Sequence, residues 1–513
     1  MLLADVVATS EAVAATRSRK AKVEALAALL RRLDHARPDE VDVVVTYLAG
    51  SLRQRRTGLG WRSVADLPPP AQTAGLDVVE VDRAFAALSA LAGPGSQSAR
   101  AAAVADIFGR ADAAEQAWLR GAVTGEVRQG ALDAVVQEAV AAVAQVPVAD
   151  VRRAAMLAGS TVAAGVAALT GGADALAGFG LEVGRPVLPM LASSAPDVAA
   201  GLVKAGAVGG GVVVDTKLDG IRVQVHRRGE EVVIATRSLD DITHRLPEVV
   251  AVTLALDADS VVLDGEALSL DEHGRPRAFQ DTASRTAQGA SDDGLHVTPY
   301  FFDILHLDGR DLLDEPLETR LAALDALVPA EHRVARLAGP SEQQAQDFAA
   351  EVVAAGHEGV VVKSLSSSYD AGRRGAGWVK VKPVHTLDLV VLAAEWGSGR
   401  RTGLLSNIHL GAADGAGGFV MLGKTFKGMT DETLAWQTER FLGLETHREG
   451  HVVHVRPEQV VEIALDGVQR STRYPGGLAL RFARVVRYRD DKDAAQADTI
   501  AAVRAHFREG HTP

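Results

Sequence analysis

Gly211-Val-Val-Val-Asp-Thr-Lys-Leu-Asp-Gly-Ile-Arg-Val-Gln-Val-His226 reads as two strands and the loop that joins them. The apolar run from Gly211 ends in polar residues at Lys217. Ile221, Val223 and Val225 then alternate with Arg222, Gln224 and His226, the period of a half-buried strand. Lys217 and the pair Asp219-Gly220 fall between them. A lysine in such a loop is ordinarily a solvated turn residue, so its meaning depends on what surrounds it.

Working outward, Val232 to Ala235, Val261 to Leu263, Pro299 to Ile304, Gly359 to Val362 and Trp378 to Val381 are further strand candidates. Helical periodicity appears at Leu317 to Val328 and Glu342 to Ala355. Together they predict a mixed α+β domain over residues 181–384. Before it, residues 1–180 read as helical. Lys22 to Leu33, Ala131 to Val146 and Val151 to Ala168 carry apolar residues at three- and four-residue spacing. After it, residues 385–513 are short strands with glycine turns around one helix, Asp431 to Leu442. That pattern fits a small β-barrel of the OB type.

The chain has 513 residues, which suggests three domains, with 47% apolar and 23% charged residues. It has no cysteine. Disulfides, thiolate nucleophiles, iron–sulfur clusters and cysteine-bound zinc are thereby excluded. Net charge is −12, so nucleic-acid binding would require local basic patches. Ala154 to Ala173 is uncharged, but Ala, Gly, Ser and Thr dominate it, and a packed Ala-rich helix pair suits it better than a membrane span. No targeting segment is evident at the N-terminus, and a cytoplasmic protein is expected. Of 54 basic residues only ten are lysines. Where lysine is scarce, each one raises the question of what arginine could not do. Lysine can lose its proton and attack; arginine cannot.

Five of the ten lysines fall in an ordered series of segments. After Lys217-Leu-Asp-Gly-Ile-Arg222 come Thr236-Arg237-Ser, Leu263-Asp-Gly-Glu266, Tyr300-Phe-Phe302-Asp-Ile, Glu358-Gly-Val-Val-Val-Lys363, Trp378-Val-Lys-Val-Lys382 and Arg481-Phe-Ala-Arg-Val-Val-Arg-Tyr-Arg-Asp-Asp-Lys492. Charges at strand ends that share a cleft are how an active site is built. Lys380 and Lys382, two apart, point to one face of a strand and suit a polyphosphate. Val379 and Val381 point to the other. Glu266 and Glu358 are hard oxygen donors suited to Mg²⁺, which binds through one or two carboxylates plus substrate phosphates. Phe302 can stack on a nucleobase.

This series resembles the nucleotidyltransferase superfamily of ATP-dependent DNA ligases, RNA ligases and capping enzymes. Lys217-Leu-Asp-Gly-Ile-Arg222 is similar to its K-x-D-G-x-R motif. The helical first region, with Val123-Thr-Gly-Glu-Val-Arg128-Gln-Gly, resembles the DNA-binding domain of replicative-type, three-domain DNA ligases. The resemblance implies roles. Lys217 is the nucleophile that takes AMP from ATP. Arg222 and Arg237 contact sugar and phosphate, Glu266 ribose or metal, Phe302 the adenine face, and Glu358 metal. Lys363, Lys380 and Lys382 contact phosphate, and Arg374 is a nucleotide contact. Arg489, Asp491 and Lys492 meet pyrophosphate when the last domain closes. Asp215 stands where the family usually has Glu, the position implied to bind the nucleotide at the adenine amino group, and Ala483 stands where it usually has Pro. The paired segments Leu48-Ala-Gly-Ser-Leu-Arg53 and Val123-Thr-Gly-Glu-Val-Arg128 suit contacts to DNA phosphates through Arg53 and Arg128.

The resemblance therefore implies a monomeric, ATP- and Mg²⁺-dependent enzyme that seals nicks in duplex DNA through a lysine–AMP intermediate. An RNA ligase, a capping-type enzyme using GTP, and a non-catalytic clamp on DNA are the competing readings. Neighbouring cations and Mg²⁺ are expected to disfavour the charged form of Lys217, whose ordinary pKa is about 10.4. Lys217→Ala and Lys217→Arg should both abolish the covalent protein–nucleotide adduct. Both should retain some sealing of a nick adenylylated in advance, a step that needs no nucleophilic lysine. An adduct on Lys217→Ala, detected with labelled ATP, would overturn the assignment.

Overall fold

The computed structural model describes residues 1–54, 56–127, 133–277, 279–288, 296–370 and 374–506. The first region is helical, from Leu3–Ala15 to Thr161–Ala177. Its helices enclose one core, in which Leu3, Leu30, Val44, Phe85, Phe108 and Val136 are buried. The periodic run Val151 to Ala168 is two helices, Val148–Leu157 and Thr161–Ala177, as the pair reading requires. Gly159 separates them at φ +64°, and Ser160 caps the second by accepting the Ala163 N–H at 3.2 Å. A Cβ on Gly159 would lie 2.9 Å from both Pro186 O and Leu239 Cδ1, so the break is also a close approach to the next region. Among the described residues no helix is long and apolar enough to cross a membrane.

The middle region holds two five-stranded sheets. One has the order Leu191–Ser194, Arg374–Val381, Gly359–Ser364, Val212–Lys217, Arg336–Ala338. The other has the order Glu231–Thr236, Ile221–Arg228, Ser260–Ser269, Val297–Leu307, Arg310–Asp311. Helices Val198–Gly206 and Glu342–Ala354 pack on the first; Pro247–Leu254 and Leu317–Leu327 pack on the second. The quoted opening stretch therefore crosses from one sheet to the other within Leu218, Asp219 and Gly220. Gly220 is required there, since a Cβ would come within 2.4 Å of Ala267 O.

The C-terminal region is an OB-like β domain. The long strand His385–Trp396 pairs first with Val460–Leu465 and then with Val452–Val455 along one edge, and with Leu405–Ala413 along the other. The helix Asp431–Gly443 covers it, burying Leu434 and Phe441. Its strand Glu445–Glu449 escapes sequence reading because all five residues are polar and it lies at a sheet edge. The three regions touch one another. Arg153 pairs with Asp314 at 2.5 Å, Arg481 with Asp219 at 2.9 Å, and Arg17 with Asp431 at 2.8 Å.

One buried pair fixes the strand that carries Phe302. Arg320 and Asp303 are both fully buried. Arg320 donates to both Asp303 oxygens at 2.7 and 3.1 Å, and to the carbonyls of Glu315 and Ser367 at 2.6 and 3.0 Å. Removing one partner strands a charge where water cannot reach it. Arg320→Ala should cost about 3–5 kcal/mol in denaturant unfolding. A loss below about 1 kcal/mol would contradict this account.

Candidate active site

Val213 and Val214 bury the strand that delivers Lys217 to the gap between the two sheets. There Lys217 borders a cavity of about 1120 Å³. Its Nζ lies 2.5 Å from Glu358 Oε2 and donates to Leu218 O at 3.4 Å. Burial holds the amine below its ordinary pKa. Glu266 and Asp219 oppose that shift, and Arg222 and Arg237 reinforce it. The cations expected from the sequence to disfavour its charge do contribute, but the loss of water comes first.

Glu266 stands beside it at the centre of Ser260–Ser269 and accepts the Gly220 N–H at 3.2 Å. Burial pushes its carboxyl up to about 7, against the pull of Lys217 and Arg222. Glu358, just before the strand Gly359–Ser364, is held from two sides: Lys217 faces one oxygen and Lys382 the other. Among the described residues no three His, Asp or Glu side chains form a metal cage. Glu266 and Glu358 nevertheless offer the oxygen donors that Mg²⁺ uses when substrate phosphates supply the remainder.

The strand Arg374–Val381 behaves as its spacing predicts. Lys380 and Lys382 line the cavity, while Val379 and Val381 are buried in the core behind it. Phe302 also lines the cavity, edge-on to Trp378 at 5.7 Å. Arg222 lies against both rings, with its guanidinium committed to Asp264 at 2.6 and 3.0 Å and to Met190 O at 2.7 Å. Arg237 lines the cavity and is exposed. The side chain of Arg374 lies outside the described part of the molecule.

Lys363 has partners other than the phosphate contact the resemblance implies. Its Nζ lies 2.7 Å from Asp215, donates to Phe302 O at 3.2 Å, and sits over the rings of Phe302 and Trp378. Burial lowers its pKa, with Asp215 opposing. Asp215 is itself buried and takes Arg336 Nε at 2.8 Å. Sequence reasoning missed Arg336. Its strand has three residues, too few for a pattern, and only the register Asp215↔Arg336 brings the two together.

The segment Arg489–Lys492 is not at this cavity. Arg489 pairs with Asp388 at 3.0 Å and Asp491 at 2.7 Å, and Lys492 pairs with Asp388 at 2.6 Å. The C-terminal residues that line the cavity are Lys427, Asp466, Arg481, Phe482 and Arg484. Arg481 and Arg484 bracket the quoted Phe-Ala pair, so it is the first end of that segment that lines the cavity in this arrangement, while Arg489, Asp491 and Lys492 are expected at pyrophosphate only when the last domain closes. In the helical region, Arg53 lies 3.4 Å from Asp42 and 3.7 Å from Asp82. The turns that precede Arg53 and Arg128 share one geometry: Gly50 and Gly125 follow helix ends at φ +80° and +71°. Arg128 falls outside the described residues.

Two family models match, the ATP dependent DNA ligase domain over residues 189–382 and the ATP dependent DNA ligase C terminal region over 401–492. A "Probable DNA ligase" of Nocardioides sp. is 69% identical, covering 98% of this chain and 99% of its own length. Another from Kineococcus radiotolerans is 68% identical, covering 99% and 100%. The solved structure Pmar-Lig_PreS3 has a TM-score of 0.60 at 17% identity over 94% of this chain and 99% of its own, a likeness of fold. The matched segments contain Lys217, both carboxylates and the paired lysines, and with near-full-length identity above two thirds they place the chain in the ATP-dependent DNA ligase family.

Proposed function

We propose that this ligase carries AMP on Lys217 and seals nicks in duplex DNA by three transfers at the cavity described. The buried amine, held below its ordinary pKa in one cavity with Lys380 and Lys382, is the observation that carries the reading. The Lys217 Nζ lone pair attacks the α-phosphorus of ATP. A P–N bond forms, the bond to the bridging oxygen breaks, and pyrophosphate leaves. The 5′-phosphate of the nick then attacks the same phosphorus, breaking the P–N bond and returning the amine. Finally the 3′-hydroxyl attacks the 5′-phosphate and AMP departs.

In this scheme Glu358 Oε2 is the base in reach of the Lys217 proton. Lys380 and Lys382 neutralise charge on the transferring phosphates. Phe302 provides a face for the adenine, above the Lys363–Asp215 pair. Glu266 and Glu358 would hold Mg²⁺, which supplies charge neutralisation on the transferring phosphoryl group. Arg222 orders the cavity wall through Asp264 and reaches sugar or phosphate only with its remaining N–H groups. Arg489, Asp491 and Lys492 would meet pyrophosphate only after the C-terminal domain reorients.

The reading assigns residues 1–180 to DNA-backbone binding, 181–384 to adenylylation and 385–513 to an OB-fold barrel. The enzyme acts as a cytoplasmic monomer, with Arg53 and Arg128 among its contacts to the DNA backbone. Incubation with labelled ATP or GTP, followed by denaturation, tests the chemistry. A stable adduct from ATP, discharged onto nicked duplex, is expected. An adduct from GTP alone would favour the capping reading, and no adduct would leave only a clamp.

The pH dependence follows from the site. Only the neutral amine attacks, and its pKa lies below the ordinary 10.5, so the adduct rate should rise with pH and level off before 10.5. Glu266 loses its proton near 7, so a further fall in rate is expected below that pH if its carboxylate holds the metal. A rate still rising tenfold per pH unit at 10.5 would contradict the buried-amine account.

A further inference from the structure

Charge alternates along a line that starts at Lys217 and crosses into the C-terminal domain. Lys217 faces Glu358 Oε2, and Glu358 Oε1 faces Lys382. Lys382 Nζ lies 3.5 Å from Asp466 Oδ2, and Asp466 Oδ1 lies 3.4 Å from Arg484 Nη1. Two carboxylates thus bridge three cations in series, all lining one cavity. Asp466 sits between the strands Val460–Leu465 and Gly467–Arg470, and its N–H donates to Arg481 O at 3.1 Å. Its position is therefore set by the backbone of the C-terminal domain.

A carboxylate has an unfavourable place in a cavity meant for a polyanion. It repels phosphate, and it occupies the cations phosphate needs. Lys382 and Asp466 are both about four-fifths buried, so water screens the pair incompletely. We propose that Asp466 is a positioning residue whose carboxylate, together with Glu358, occupies the cation sites of the nucleotide phosphates when the site is empty. It holds Lys382 and Arg484 in place across the domain boundary and must yield them as the triphosphate enters. The price of ordering the site in advance is competition with ATP. This inference rests on the reading of the Lys217 cavity as a nucleotide site.

Asp466→Asn in the full chain removes the charge and keeps the shape. The initial rate of adduct formation is measured against ATP concentration for wild type, Asp466→Asn and Asp466→Glu. Relief of competition should lower the half-saturating ATP concentration about two- to fivefold, the range of a partly screened ion pair, with the maximal rate changed less than about twofold. The difference should shrink at high salt, and Asp466→Glu should behave as wild type. An unchanged or higher half-saturating concentration in Asp466→Asn, with thermal unfolding like wild type, would overturn the proposal. A rise would make Asp466 a support of the nucleotide site and not its competitor. A wild type that forms no adduct would refute the nucleotide reading itself, which separates the two failures.

Discussion

An amine that must react is held here where water is scarce, and the placement depends on one short crossing between two sheets. Lys217 ends a strand of the first sheet, and four residues later Ile221 opens a strand of the second. Neither sheet alone would bury the side chain. Glu266, on a strand of the second sheet, and Glu358, just before a strand of the first, both act on its amine. Desolvation disfavours charge on Lys217 and on Glu266 alike. The same absence of water that frees a lone pair on one therefore tends to protonate the other. Cations and carboxylates packed nearby moderate both effects.

Much of this arrangement was legible in the sequence because it rests on periodicity. Val379 and Val381 alternate with Lys380 and Lys382, and the structure buries the first pair and turns the second to the cavity. The uncharged stretch after Ala154 reads as a helix pair, and Gly159 is the residue that divides it. Long-range partners were not legible. Arg336 reaches Asp215 through a strand too short to show a period, and Asp264 holds Arg222 through a register no local pattern reveals. The segment from Arg481 to Lys492 was recognisable as a unit. Which of its charges face the cavity depends on how the last domain sits, and no local spacing encodes that.

The charge distribution resolves an apparent conflict. A chain with net charge −12 handles a polyanion. Around the cavity many of its cations are paired internally. Lys217, Lys382, Arg222, Arg481 and Arg484 each face a carboxylate near the cavity. The cavity is therefore closer to neutral than its lysines alone suggest. Positive potential becomes available where a phosphate displaces a carboxylate, which favours ligands that can exchange partners over those that merely carry charge.

The contact between Arg17 and Asp431 has a topological consequence. It joins the first region to the last, so the three regions form a closed circuit of contacts. Both side chains are more than two-thirds exposed. Such a pair is worth about 0–1 kcal/mol, comparable to thermal energy. Under the proposed function, in which the three regions share one duplex, opening the circuit at this pair would admit DNA from the side, and a nick in a covalently closed circle would be as accessible as one near a terminus.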